Sequence, residues 1–79
     1  MNREISHLQR TTNLLASIGV ALITNGANST RASRNLERIA QSFGCRVNEF
    51  ISHSSIILTV EDIKTGLHQT VVRNIRHYG

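Results

Sequence analysis

Residues 29–61 read STRASRNLERIAQSFGCRVNEFISHSSIILTVE, and the change of period inside this stretch decides the fold. Up to Gly44 the apolar residues Ala32, Leu36, Ile39, Ala40 and Phe43 gather on one side of a helix drawn at 100° per residue. Asn28, Ser29 and Thr30 are all residue types that cap helix starts, because their side-chain oxygens can accept from unpaired backbone N–H groups. Gly44 supplies the left-handed backbone that ends a helix. Beyond it the period drops to two. Arg46 to Ser52 (RVNEFIS) reads as a strand of imperfect alternation. Ser55 to Glu61 (SIILTVE) is a stronger one, with Ile56, Leu58 and Val60 on one face and Ile57 and Thr59 on the other. Asp62 to Gly66 (DIKTG) has turn chemistry, and Leu67 to Ile75 (LHQTVVRNI) alternates Leu67, Val71 and Ile75 against polar neighbours, a natural hairpin partner.

Working back toward the N-terminus, Ile5, Leu8, Leu15, Ala16, Gly19, Leu22 and Ile23 fall within about 120° of one another, the signature of an amphipathic helix. Asn25-Gly26 is its stop. Leu14, Ile18 and Ala21 lie off that stripe, and only Ser6, Arg10, Asn13, Ser17 and Thr24 form a polar strip. The second half of the helix is therefore apolar around most of its circumference, more than a small domain can cover. Leu14, Ile18 and Ala21 are the expected contact with a partner, whether a second copy, a companion subunit or another part of the same protein. Self-association through this helix is the simplest expectation.

The order ααβββ predicts an α+β fold of two layers, two helices packed on a small antiparallel sheet. A chain of 79 residues holds one domain, residues 1–79, and can bury about 60% of its unfolded surface, enough for one thin core and too little for a deep enzyme cleft besides. It breaks off at His77-Tyr78-Gly79 directly after a strand, as a truncated piece of a longer protein would. Its longest apolar run, Leu14 to Ile23, is interrupted by Ser17 and Gly19 and is shorter than the roughly 18 residues a membrane span needs. The N-terminus lacks the apolar core and small-residue cleavage site of a signal peptide. The stretch is read as soluble, and its single Cys excludes an internal disulfide.

Nine Lys and Arg against five Asp and Glu give a net charge of +4, and eight of the nine are Arg, which makes rigid, bidentate contacts with carboxylates and phosphates. The segment Gly26 to Arg34 (GANSTRASR) opens a helix, where unpaired N–H groups and the helix dipole attract anions, so Ser29, Thr30 and Arg31 are candidates for holding a carboxylate or phosphate. It lacks the glycine spacing of a P-loop or a dinucleotide-binding loop. His53, Ser54 and Ser55 sit in the turn between the first two strands and join the candidate ligand-binding set. Neighbouring residues on a strand point to opposite faces, and no orienting carboxylate is indicated, so no catalytic residue is assigned and an enzyme working through His53 and Ser54 ranks third among the readings. His7, His53, His68 and His77 are too scattered for a metal motif, and neither metal nor other cofactor is expected. Cys45 is read as a packing thiol. Arg31, Arg34 and Arg38 share about 60° of the second helix and, with Arg46, Arg73 and Arg76, suggest an alternative: a small basic module binding an anion or nucleic acid. Three aromatic residues in the chain, and Glu37, Glu49 and Glu61 among the arginines, argue against nucleic acid.

A helix ending in Asn-Gly-Ala (residues 25–27), then Ser29 to Gly44, then a strand and a Ser-rich turn before SIILTVED (Ser55 to Asp62), resembles the soluble N-terminal cytoplasmic region of the threonine/serine exporter family. Gly26, Ala27, Ser29, Gly44, Ser54, Ser55, Ile56, Ile57, Leu58 and Arg73 stand at the positions that carry the resemblance, which runs from about Leu14 to Ile75. The family often has an acidic residue in the first turns of the second helix, where this sequence has Ser33 and Arg34; any activity resting on that acid is in doubt here. The resemblance implies a cytoplasmic domain on the inner face of the plasma membrane. Its role would be accessory (assembly, gating or capture of a small amino acid or carboxylate) beside a membrane-embedded part that does the transport. These residues transport nothing by themselves.

Overall fold

The computed structural model describes residues 2–76, so the histidine at 77 and the two residues after it lie outside the described part. The elements are α1 (Asn2–Thr24), α2 (Ser29–Ser42), β1 (Cys45–Ile51), β2 (Ser55–Asp62) and β3 (His68–Asn74). The strands form one antiparallel sheet in the order β1-β2-β3, and both helices pack on it, the α+β arrangement the sequence predicts.

Local chemistry sets the boundaries. At the end of α1 the Asn25 backbone N–H and side-chain Nδ2 both donate to the Ala21 carbonyl, at 3.0 and 2.7 Å. Gly26 then turns the chain at φ +95°, a conformation that costs a side-chain-bearing residue energy but glycine almost none. Asn28 caps α2, its Oδ1 accepting from the Arg31 N–H at 2.8 Å. Gly44 at φ +71° closes that helix. The β2–β3 turn is held by Asp62, whose Oδ1 accepts from the Lys64 N–H at 3.0 Å.

Register puts the alternating apolar residues in one plane. Val47 faces Val60, Ile51 faces Ile56, and Leu58 faces Val71 across the ladders. Ile56, Leu58 and Val60 are fully buried under Leu15, Ala16, Leu36 and Ala40 from the helices. Burying each large aliphatic side chain is worth about 1.5–3 kcal/mol, so this cluster carries the fold. Gly19 lies where the two layers meet: a Cβ there would stand 2.7 Å from Ile56 Cδ1 and 3.3 Å from Leu36 Cδ1. The missing side chain is what lets α1 approach so closely.

Two features of α1 differ from the wheel. Ile5, on the apolar stripe, is 47% exposed. A helix of 23 residues is about 35 Å long, while the seven- and eight-residue strands reach roughly 25 Å, so the first turns of α1 overrun the sheet. Thr11 and Thr12, which the pattern does not single out, are buried; the Thr12 hydroxyl is satisfied by donating to the Leu8 carbonyl at 2.6 Å.

Candidate functional site

Because β1 runs back antiparallel along α2, the topology gathers four segments at one pole: the end of α1, the start of α2, the β1–β2 turn, and the end of β3. The Ile75 N–H donates to the Ser54 carbonyl at 2.7 Å and ties the last two together. Ser29, Thr30, Arg31, His53, Ser54 and Ser55 therefore share this pole. Ser29, Thr30 and Arg31 are exposed, and the N–H of Arg31 is already committed to Asn28. In the turn, Ser52 is the hub. Its hydroxyl accepts from the Ser55 N–H at 3.1 Å and lies 3.0 Å from the Ser55 hydroxyl. The Ser-rich turn thus uses much of its own hydrogen-bonding capacity to shape the hairpin.

A concavity lies beside this pole, between α1 and β3. A groove of about 510 Å³ is lined by Ser17, Val20, Ala21, Thr24 and Asn25 from α1 and its cap, and by Arg73, Asn74 and Arg76 from the β3 side. Arg73 projects from the inward face of β3 and bridges the layers, donating to Asn13 Oδ1 at 3.0 Å and to the Val72 carbonyl at 3.1 Å. Asn13, Ser17 and Thr24 belong to the strip that the wheel marks as polar; all three are exposed, and they form the edge of that strip that borders β3. The side of α1 turned from the protein is mixed, with Ser6, Arg10, Asn13, Ser17 and Thr24 all exposed on it. Leu14 is 43% exposed, Ala21 is exposed and Ile18 half-buried, continuing a line that begins with the exposed Arg3, His7 and Arg10.

A family model described as "Putative threonine/serine exporter" matches residues 13–79, well over half of the chain. The chain belongs to the threonine/serine exporter family. No curated protein and no solved structure matches it with significance. Among the described residues, no helix is long and apolar enough to cross a membrane.

With the exporter family established, the positions that carry the resemblance acquire physical roles. Gly26 and Gly44 make the two left-handed turns, and Ile56 and Leu58 are core. Ser54 anchors β3 through its carbonyl, and Arg73 spans the groove. Most of these residues are fold-forming, and Arg73 is the one that also faces an open cavity.

Glu49 of β1 faces α2 from the inner side of the sheet, beside Ser33 and Glu37. Burial pushes its carboxyl above the ordinary glutamate range and the neighbouring Glu37 adds to the shift, while the Ser33 hydroxyl opposes it. Its Oε2 is buried without a hydrogen-bond partner. A carboxyl whose folded pKa exceeds its unfolded one favours the folded state only while protonated. Stability should therefore fall as pH rises from the ordinary glutamate value, near 4.5, through the raised folded value, and level off above it. Glu49→Gln is expected to flatten that decline and to raise the neutral-pH midpoint in urea; an unchanged pH profile would show that Glu49 is ionised at no cost.

The remaining charged candidates disperse. Arg46 lies on the uncovered face of the sheet, 3.6 Å from Glu61, with both side chains largely in solvent. Arg31, Arg34 and Arg38 lie exposed on α2, and Arg73 is turned to α1. The six arginines named from the sequence form no single patch. Cys45 is fully buried, and its thiol is pushed up, first by burial and then by Asp62, which fits packing better than reactivity. His7, His53 and His68 stand on α1, the β1–β2 turn and β3, too dispersed to converge on one ion.

Proposed function

We propose that this chain is a cytoplasmic accessory domain of a threonine/serine exporter, docking onto the membrane-embedded part of the same protein or of a companion subunit through Leu14, Ile18 and Ala21. The observation that carries the reading is the outer strip of α1 in a chain of this family. Leu14 is 43% exposed and Ala21 is exposed, with the half-buried Ile18 between them, and an uncovered apolar patch on a helix is the usual mark of a contact surface. The same strip would support pairing of two copies. The start of α2 and the Ser-rich turn, at the pole near which this strip ends, would then be the side that meets the exported solute.

The test is Leu14→Glu combined with Ile18→Glu in the native gene, read by co-purification with the membrane-embedded part and by threonine efflux. Placing two carboxylates in an apolar contact should weaken association at least roughly tenfold. Circular dichroism of the isolated chain should be unchanged for Leu14→Glu alone, which is the folding control, since Leu14 is exposed while Ile18 is half-buried against the core. Undiminished assembly and efflux would overturn the docking surface, and a strictly monomeric chain by light scattering at high concentration would remove self-pairing. Salt-sensitive binding of RNA or DNA through Arg31, Arg34 and Arg38, without any effect of the strip variant, would favour the basic-module alternative.

A further inference from the structure

Strand β1 forms one edge of the sheet, and the ladder fixes which way its backbone groups point. The Ile63 N–H donates to the Gly44 carbonyl at 3.1 Å, and the Ser52 N–H donates to the Ser55 carbonyl at 2.9 Å. In an antiparallel pair, residues bonded to the neighbouring strand alternate with residues whose N–H and C=O point away from it. Arg46, Asn48 and Phe50 are therefore bonded to β2, and Cys45, Val47, Glu49 and Ile51 turn their backbone groups outward. Cys45 is fully buried, so the open row runs from Val47 to Ile51. Among the described residues, no backbone group outside the sheet bonds to that row. At the opposite edge the outward carbonyl of Val72 is already taken, since Arg73 Nη1 donates to it at 3.1 Å. An open edge row is a template for a further strand.

The side chains around the row say which strand would fit. A groove of about 400 Å³ runs beside it, with Glu37 and Gln41 of α2 on one wall and Val47 and Asn48 of β1 on the other. Glu49 points toward α2 next to Glu37, and its Oε2 is buried without a hydrogen-bond partner. Among the described residues, neither carboxyl has a Lys or Arg within ion-pair distance. A buried carboxylate without a counter-charge is a cost that a cation from outside would relieve. The outer face of the same edge is apolar: Phe50 is 65% exposed and starts a row with Ile57 and Val72 in register across the sheet. Because side chains alternate along a strand, an added one would place cations toward α2 and apolar residues beside Phe50. A second β1 does not meet this requirement. An antiparallel pair of them would set the Glu37 and Glu49 carboxyls of two copies side by side, and like charges across a ladder destabilise it.

We propose that the β1 edge takes an extended segment of a partner protein as a fourth strand, with Lys or Arg facing Glu37 and Glu49 and an apolar residue beside Phe50. Backbone bonds to Val47, Glu49 and Ile51 give the affinity, and the carboxyl pair and Phe50 select the sequence. Glu49 thus weakens the isolated chain and specifies its partner. This does not rest on the docking reading: α2 packs on β1, while α1, with Leu14 and Ile18, packs on β2 and β3.

The experiment titrates the isotopically labelled chain with acetyl-Lys-Val-Lys-Val-Lys-Val-amide and with the same peptide carrying Glu for Lys. Two further forms of the Lys peptide are N-methylated on the backbone, one at every lysine and one at every valine. Saturable amide shifts at Val47, Glu49 and Ile51 are expected with the Lys peptide, and hydrogen exchange at these three amides should slow on saturation. The Glu peptide should bind at least about tenfold more weakly. One methylated form should bind about tenfold more weakly than the other, because only one set of its amides faces the ladder. Glu49→Gln should weaken binding about tenfold, as loss of a charged hydrogen-bond partner does, even though the chain itself becomes more stable. Glu37→Gln, at an exposed position, should move affinity in the same direction. Absence of saturable shifts along β1, equal binding of the Lys and Glu peptides, or equal binding of the two methylated forms would overturn the proposal. Slow exchange of the three amides in the concentrated chain without peptide would also overturn it, by showing a second copy at the edge. None of these results touches assembly through Leu14 and Ile18, so each reading can fail alone.

Discussion

Leu36→Ala is expected to lower the free energy of unfolding by about 3–5 kcal/mol, near the upper end for leucine truncations. Leu36 is fully buried, and its Cδ atoms lie against the place where Gly19 has no side chain. That geometry matters because the cost of a truncation depends on how far the surroundings can collapse into the gap. Here the nearest wall on the α1 side is backbone, which cannot swing inward as a side chain would. A domain of this length has a total stability of roughly 4–12 kcal/mol, so the variant should be marginal or unfolded at 37 °C. Urea and thermal denaturation followed by circular dichroism measure it directly. A loss under about 1 kcal/mol would mean that Leu36 is not at the junction of the layers.

Gly19 and Ile56 should behave as one unit. Alanine is the better helix former by about 1 kcal/mol, so in an unconstrained helix Gly19→Ala would stabilise. In this one the new Cβ would meet Ile56 Cδ1 at 2.7 Å, so the end of the fully buried Ile56 side chain must shift within the packed core. Overpacking costs about 1–3 kcal/mol, so the single variant is expected to come out net destabilising. Ile56→Val alone removes the same methyl and should cost about 0.5–1.5 kcal/mol. Combined, the alanine Cβ fills the space that the methyl vacates, and the double variant should return close to the parent. The coupling energy should be at least about 1 kcal/mol, well outside the additive range for independent sites. Simple additivity in chemical denaturation would show that α1 and β2 are not in contact at this point. Gly19→Leu has no such remedy and is expected to abolish cooperative folding.

These two sites show where sequence and structure divide the work. The five elements were readable because each has a local cause. Asn28 caps, Gly26 and Gly44 terminate, and the switch from a period near 3.6 to a period of 2 after Gly44 marks the change from helix to strand. The observed ends differ from the expected ones by a residue here and there, as at Cys45–Ile51 against Arg46 to Ser52, where the ladder extends to pair Cys45 with Asp62. Ile5 departs from its stripe for a reason no wheel contains, the mismatch between helix and strand lengths.

The site was much less legible. Ser29, Thr30 and Arg31 stand out in the sequence because they are consecutive and polar, and the structure leaves them exposed on a helix start whose cap Asn28 already fills. The groove residues are scattered from Asn13 to Arg76, and nothing in their spacing groups them. One signal was available: Asn13, Ser17 and Thr24 form a polar strip beside an apolar one, on a helix whose far half has little polarity to spare. That strip is exposed, and its edge borders β3.

By itself the sequence determined the elements, their order, the core face of each strand, and the excess of apolar surface on α1. All of these follow from interactions within a few residues or from simple periodicity. Only the tertiary structure decided which side of α1 meets the solvent, because both of its lateral strips are compatible with the helix alone. Packing buried Leu8, Leu15 and Ala16 and half-buried Ile18, leaving Leu14 and Ala21 exposed beside the polar strip, and the same packing made Arg73 and Arg76 neighbours of Ser17 and Thr24 across a groove. Side chains some 50 residues apart acquire a common chemistry only when the loop entropy separating them has been overcome by a shared core.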